Sequence, residues 1–459
     1  MARSSWYRLD NVGKFYAAQA GHSAQTVFRI AAQMTDEVEP EPLQRALDRA
    51  LDVFPGFNVT LRSGFFWHYL EQAKGTPQVQ PDHIPVCYPM HADTKSVLMR
   101  VSYFGQRINL EVSHMISDGR GTMEFFKTLV AFYVEERYGV ASGLAAYTGE
   151  EEQKTEDSFS KNYERKASAA TKTPKAYRIK GWKDPSSPMF MEFHLSASAV
   201  YAKAKEMGVG VTPLLIAAIV CAIRDGMPER DRDGKKAICL NVPVDLRRFF
   251  GSETLRNFFG LAIVSYVPGV ANESVASVAV QISKQLGDIT QPEVLKRRMN
   301  RMIKLEKNVA LRIAPVFLKD AVLGLAARIA DKDVTTTASN IGRISMPEGV
   351  DPYVDSVVVL TSTRGLNFVM CTYGDDLSVG ISSIYVSNAI ACRFVRIFSD
   401  LGIEGFIQQS RDKREVDVML RQAQLEGALL RQDPGIEAGA DEGAVLDAGS
   451  ERVEGGDGR

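Results

Sequence analysis

Between Arg107 and Glu136 the sequence changes its hydrophobic period. Ile108, Leu110 and Val112 alternate with Asn109, Glu111 and Ser113, a period of two that predicts a strand. From Thr122 to Glu136, Met123, Phe126, Val130, Phe132 and Tyr133 recur at helical spacing. A strand that passes directly into a long helix calls for a layered fold, because the sheet face and the helix stripe must bury each other. The connection between them reads His114-Met115-Ile116-Ser117-Asp118-Gly119. His114 therefore stands where a buried strand ends and a loop begins, at the edge of a core.

The same alternation of element types continues along the chain. Pro42 serves as a first helical residue and Pro55 as a stop, with Leu43, Leu47, Ala50, Leu51 and Phe54 on one face. Ser63-Gly64 predicts a two-residue hairpin turn into a strand over 65–70, with Phe65-Phe66-Trp67 in the core. Gly105-Gln106 turns the preceding strand back into the His114 strand. In the second half, Thr212-Pro213 predicts a helix start, the Thr capping and Pro at the first position. Strands are expected at 189–195, 237–244, 261–267, 334–341, 355–362, 366–373 and 377–384. Helices are expected at 214–223, 273–286, within 292–330 and near 387–409. Interleaved strands and helices define an α/β class.

Length allows two domains, each with its own core, in 459 residues. The expected organisation is an N-terminal subdomain over 1–140, a solvated linker over 141–188, a C-terminal subdomain over 189–432 and a disordered, acidic, Gly-rich tail over 433–459. The linker reading rests on Glu150-Glu151-Glu152 and on many Lys, Ser and Thr residues. The tail holds eight acidic and two basic residues. The whole chain has a net charge of -1, so the body is mildly basic, which suits an anionic donor without requiring one. No nucleic-acid partner is implied. Five cysteines, widely spread, show neither metal-ligand spacing nor a disulfide framework. No signal-type N-terminus is visible, and the longest apolar run, Pro213 to Ile223, is too short to span a bilayer. A cytoplasmic monomer without a transmembrane segment is the expectation.

A histidine at such an edge exchanges protons near neutral pH and meets the chemical need of a general base. The residues alone leave a second reading open: a core histidine followed by a helix-capping Asp118. Asp118 follows at four positions on a loop, so it need not face His114. Gly119 most simply supplies a backbone conformation closed to other residues. The remaining histidines, His22, His68, His83, His91 and His194, have no zinc-type spacing. No Gly-x-Ser-x-Gly nucleophile elbow occurs.

The run His114 to Tyr133, HMISDGRGTMEFFKTLVAFY, resembles the active-site segment of the chloramphenicol acetyltransferase-like superfamily. Leu43 to Phe57 with Arg62, Asn241 to Arg247 (NVPVDLR) and Ser339 to Ile344 (SNIGRI) follow in the order expected of that group. Ser113 precedes His114, so the double histidine common in peptide-synthetase condensation domains is absent; the likeness is to stand-alone alcohol acetyltransferases. The resemblance implies two α/β subdomains, each a mixed sheet with flanking helices, and an active-site tunnel between them. It implies His114 as base and Asp118 turned away to pair with an arginine of the second half, Arg247 or its rival Arg248. Asn340 would donate to the oxyanion or only cap a strand end. The implied reaction moves an acetyl or short acyl group from acyl-CoA, a co-substrate rather than a resident cofactor, to a small-molecule hydroxyl acceptor. A carrier-protein donor and a non-catalytic binding protein on the same scaffold are the alternatives. No permanently bound cofactor and no metal are expected.

Overall fold

The computed structural model describes residues 6–19, 26–90, 96–145, 154–164, 174–269, 273–306 and 314–409. The acidic segment 433–459, His22 and His91 lie outside them.

Two mixed sheets organise the chain. The first runs in the order Val354–Thr361, Val27–Met34, Arg107–Ser113, Met99–Phe104, Gln80–Pro81. Its first four strands are antiparallel and the last pairs in parallel. Helices Pro40–Val53 and Gly119–Tyr138 pack against each other beside it. Leu43, Leu47, Phe125, Phe126 and Leu129 share one core with Ile30, Val101 and Leu110. The second sheet has seven strands: Phe259–Tyr266, Ile238–Asp245, Thr336–Ile344, Leu366–Tyr373, Asp376–Ser383, Met189–Ser196 and Gly405–Gln409. Helices Val211–Arg224, Val275–Ile289 and Ala389–Asp400 join its core through Leu215, Val278 and Phe394 against Leu240, Phe368 and Val379. A small antiparallel sheet of Trp6–Arg8, His68–Gln72 and Val59–Ser63 adds Val59, Leu61 and Leu70 to the first core. Among the described residues, no single helix is long and apolar enough to cross a membrane.

The halves of the sequence are not the halves of the structure. Val354–Thr361, expected within the 189–432 subdomain, pairs instead with Val27–Met34 in the first sheet. Its backbone passes so close to the second sheet that a Cβ on Gly380 would meet the Val359 carbonyl oxygen at 2.1 Å. Ser378 Oγ donates to Val357 O there at 2.7 Å. The stretch 141–188 is also more than a solvated link. Phe159 is fully buried with Phe258, Leu295, Met299 and Ile303, and Ala176 bridges Ala237.

Several local expectations change for identifiable reasons. Asn109, Glu111 and Ser113 are buried like the residues they alternate with; Asp82 and Cys87 meet Asn109 and Glu111, and Thr26 meets Ser113. Glu111 accepts from Arg29 Nε at 2.9 Å and from Cys87 N at 2.6 Å, and also pairs with Arg100. The hairpin after Ser63 is wider than two residues: Gly64 N donates to Trp67 O, and the return strand begins only at His68. Phe65, Phe66 and Trp67 therefore form an exposed tip and not core. The buried helix starts at Val211 after Gly210, which puts Pro213 one turn inside and frees the Thr212 hydroxyl for Asn340. Among the described residues, 292–330 include the helices Pro292–Glu306 and Val316–Ala330. The last helix ends at Asp400, and Gly402, at φ 75°, turns the chain into the edge strand Gly405–Gln409.

A buried ionic cluster ties the sheets together. Arg107 of the first sheet donates to Glu192 of the second at 2.6 and 2.9 Å. His194, two residues along that strand, hydrogen-bonds Asp376 at 3.0 Å and stacks on Phe406 at 4.6 Å. Burial opposes the charge on His194, but Asp376 and Glu192 outweigh it and hold its pKa at about 9. The folded value lies above the ordinary 6.5, so this histidine stabilises the protein fully below pH 6.5 and loses that contribution as pH rises through 9. Replacing it by glutamine should flatten that loss, about 1–3 kcal/mol, between pH 6.5 and 9. Urea unfolding of both proteins at the two pH values checks this; an equal loss in each would contradict the linkage.

Candidate active site

Strand Arg107–Ser113 delivers His114 to the seam between the sheets. Its backbone N–H donates to Thr26 O at 2.7 Å and its carbonyl accepts from Asn257 Nδ2 at 2.9 Å. The imidazole lies between two aromatic rings, stacked on Tyr16 at 4.9 Å and tilted against Phe28 at 4.5 Å. Nδ1 is sealed from solvent and has no partner at hydrogen-bonding geometry, while the residue itself lines a cavity. Burial pushes the imidazole pKa down from 6.5 to about 4, against the opposing pull of the Asp118 charge, the Ser117 backbone and the Asn257 side chain.

The cavity measures about 1560 Å³ and is lined from both halves: Tyr16, Phe28 and His114 on one side, Asn241, Val244 and Asn367 on the other. Asn241 Oδ1 and Ser362 Oγ are buried without partners among these lining residues.

Asp118 does not reach His114. It caps the helix Gly119–Tyr138, its Oδ1 accepting from Gly121 N at 2.9 Å. Both its oxygens also accept from Arg247, each at 3.0 Å, and Oδ2 accepts from Phe258 N at 2.8 Å. Arg247, not Arg248, is the partner. Its other donors go to Asp245 Oδ1 at 2.9 Å, Thr254 O at 2.8 Å and Arg256 O at 2.6 Å, so all five guanidinium N–H groups are used. Both side chains are about nine-tenths buried.

Gly119 has an ordinary φ, so left-handed backbone is not its role. A Cβ there would meet only the flexible end of Ile341, at 2.9 Å. The tight position is Gly121, where a Cβ would lie 2.1 Å from Leu255 O and 2.6 Å from Ser117 Oγ. Asn340 sits at a bulge between Thr336–Ile344 and its neighbour. Its carbonyl accepts from Gly342 N at 2.8 Å and its amide donates to Thr212 Oγ1 at 2.7 Å. It lies in mid-strand and braces the bulge within the cavity lining, rather than capping a strand end.

Sequence reasoning missed Asn257 and Asp10. Asn257 donates through N and Nδ2 to Asp10 Oδ2, at 3.2 and 3.0 Å, while Asp10 caps the helix that carries Tyr16. Burial raises the Asp10 pKa to about 6. No period or spacing marks these residues; they meet His114 only through the fold. His68, read as inert, pairs with Asp320 at 3.0 Å across the halves.

No family model and no curated protein matches the chain. Solved structures do. The first condensation domain of the calcium-dependent antibiotic synthetase, with a substrate analogue, aligns at TM-score 0.60 and 14% identity, covering 87% of this chain and 96% of its own. Trichothecene 15-O-acetyltransferase from Fusarium sporotrichioides aligns at 0.56 and 13%, covering 86% and 93%. The F. sporotrichioides TRI101 protein, complexed with coenzyme A and T-2, aligns at 0.57 and 11%, covering 85% and 97%. The chain shares the α/β, two-lobed fold of these condensation-domain and acetyltransferase structures.

Removing one partner of the Asp118–Arg247 pair leaves a buried charge, at a cost of about 3–5 kcal/mol. Asp118→Asn and Arg247→Met should each destabilise, and the double variant should lose less than their sum. A double-mutant cycle by urea unfolding tests this; additive losses would mean the pair is not coupled. Separately, Gly121→Ala should cost roughly 1–3 kcal/mol or more through overpacking, and Gly119→Ala much less. Equal melting temperatures for the two alanine variants would refute that ranking.

Proposed function

We propose that the protein is an acyltransferase that moves an acyl group from an acyl thioester to a hydroxyl acceptor, with His114 as general base. The observation that carries this reading is an imidazole held on the wall of a two-lobed cavity with Nδ1 sealed, leaving Nε2 to serve the cavity. The fold neighbours include an O-acetyltransferase and a protein complexed with coenzyme A, which supports thioester chemistry.

In this scheme Nε2 takes the acceptor's hydroxyl proton as the oxygen attacks the thioester carbonyl. The tetrahedral intermediate collapses with cleavage of the C–S bond, and the imidazolium returns the proton to the leaving thiolate. An ester and a free thiol result, with no acyl-enzyme. Binding both substrates in one cavity replaces a three-body encounter with a fixed geometry. Asp118, Gly121 and Arg247 position the loop and do not touch the reacting atoms. The Asn340 amide donates to Thr212 Oγ1 and its Oδ1 closes the bulge, so it is not the oxyanion donor in this scheme.

The donor we favour is acyl-CoA. Ten Lys and Arg residues line the cavity against five Asp, a balance that attracts phosphates. Burial and the neighbouring Arg178 hold Lys183 below the usual lysine value, as expected where cations gather without enough carboxylates. A carrier-bound thioester presents the same phosphopantetheine chemistry and is the alternative donor.

Release of free thiol from acyl-CoA with pooled alcohols tests the reaction directly. His114→Ala should lower turnover by roughly 10²–10⁴-fold with little change in melting temperature; undiminished turnover would remove His114 from the mechanism. Turnover with a loaded carrier only would reassign the donor. With a base of pKa about 4, kcat/KM should stay level from neutral pH down to about 5 and fall only near 4. An acid limb centred on 6.5 would show that the ring is not desolvated during catalysis.

A further inference from the structure

We infer that the outer face of the helix Val316–Ala330, together with the hairpin tip Phe65–Trp67, docks the protein on a bilayer surface carrying anionic headgroups. The inference stands on this surface alone and does not require the acyltransferase reading.

The helix is apolar on two sides. Val316, Leu323, Ala326 and Ala327 line the cavity. Leu318, Val322, Leu325 and Ile329, spaced i, i+4, i+7 and i+11, form a stripe in which each is at least half exposed. A surface helix normally turns its second side polar. Phe317 extends this stripe at 65% exposure. The hairpin tip of the other lobe continues it: Phe65 is 69% exposed, and Phe66 and Trp67 are 44% and 40%. The two elements are joined, since Val316 N donates to Phe65 O at 2.9 Å and Lys319 Nζ donates to Phe66 O at 2.8 Å. Eight large apolar side chains thus share one exposed surface, three of them (Phe66, Trp67 and Val322) also lining the cavity, more than single scattered residues would explain.

Charge selects the occupant. Between residues 292 and 333 the chain carries ten Lys and Arg against five Asp and Glu, although the whole chain is net -1. The helix Pro292–Glu306 belongs to that stretch, and its Met302 lines the same cavity as Val322 and Leu323. Its Arg297, Arg301 and Lys304 are exposed. Lys319 lies 3.5 Å from the Trp67 ring, so aromatic and cation meet as they do at headgroup depth. Lys319 and Lys14, both beside the Trp67 ring, put cations at the edge of the apolar tip, which matches an anionic interface. It fits an identical copy of itself poorly, because the cations would face each other. Docked this way, the cavity-lining residues Phe66, Trp67 and Val322 lie at the lipid.

Sedimentation of the full chain with vesicles tests this. The protein should pellet with phosphatidylcholine–phosphatidylglycerol vesicles, weakly with phosphatidylcholine alone, and less at high salt. Leu318→Ser with Leu325→Ser, and separately Phe65→Ser with Phe317→Ser, should each lower partitioning roughly tenfold or more. None of these four residues lines the cavity, so melting temperature and thiol release with a soluble donor and acceptor should hold. Wild-type protein left in the supernatant with both vesicle types would overturn the inference. Equal pelleting of the variants would do so as well. A salt-stable dimer of the wild type, lost in the variants and indifferent to vesicles, would assign the face to a second copy and overturn it too.

Discussion

The Asp118–Arg247 pair is the interaction on which the rest of the site depends. Its value is positional rather than energetic. Taking two charges out of water costs several kcal/mol each, and a well-made pair does little more than recover that. What the pair provides is convergence. Arg247 spends five N–H groups on acceptors from the loop after His114 and from the segment Asp245 to Arg256. Asp118 adds the first turn of the long helix and Phe258 N. Asn257, which holds the His114 carbonyl, lies between Arg256 and Phe258, both bound by this node. The loop therefore cannot shift without dragging the histidine's own tether.

Burial sets the character of the histidine. A ring held near pKa 4 by desolvation is neutral at any physiological pH and always ready to accept a proton. The compensating weakness is low intrinsic basicity, which suits a thioester better than an ester or amide because the leaving thiolate needs little help. His114 Nδ1 and Asn257 Oδ1 both remain buried without partners, a cost of about 1–3 kcal/mol for each such group. Native proteins tolerate such groups chiefly at functional sites. Tyr16 and Phe28 close the faces of the ring, so a polar partner can approach only in its plane.

What the sequence made legible was local in origin. The change of period around His114 is a property of neighbouring residues, and the strand, loop and helix lie where it places them. The Asp118 cap is equally local. Arg247 was reachable only through resemblance to a family pattern; its choice over Arg248 is fixed by contacts at Thr254 and Arg256 that no spacing encodes. Three failures share one cause, namely long-range packing. Val354–Thr361 reads as a strand from its Val-rich run, but nothing local says which sheet it joins. Gly119 reads as the glycine with a special conformation, yet the close approach falls at Gly121, against Leu255 O. Phe65-Phe66-Trp67 reads as core from hydrophobicity, yet the turn that carries it projects away from both cores. Asn257 and Asp10 carried no signal, because Asn257 reaches the His114 carbonyl across 143 residues and Asp10 acts only through Asn257, 247 residues away.

The strand exchange also explains how so large a cavity persists. About 1560 Å³ exceeds the roughly 300–1,000 Å³ of a single-ligand pocket, and its lining is mostly apolar. Two independent lobes with such surfaces would gain by closing on each other, at about 25 cal/mol per Å². They are not independent. Val354–Thr361 pairs in one sheet while the Val359 carbonyl abuts Gly380 of the other, with no room for a side chain between them. Arg107–Glu192 holds the sheets together through buried charges, and Asp118–Arg247 joins the loop of one half to the other. His68–Asp320 bridges the halves again beside the hairpin. Closing the gap would shear at least one buried ion pair, a penalty of several kcal/mol. The seams thus keep the lobes apart by fixing how they meet, and His114 stands on the wall they hold open.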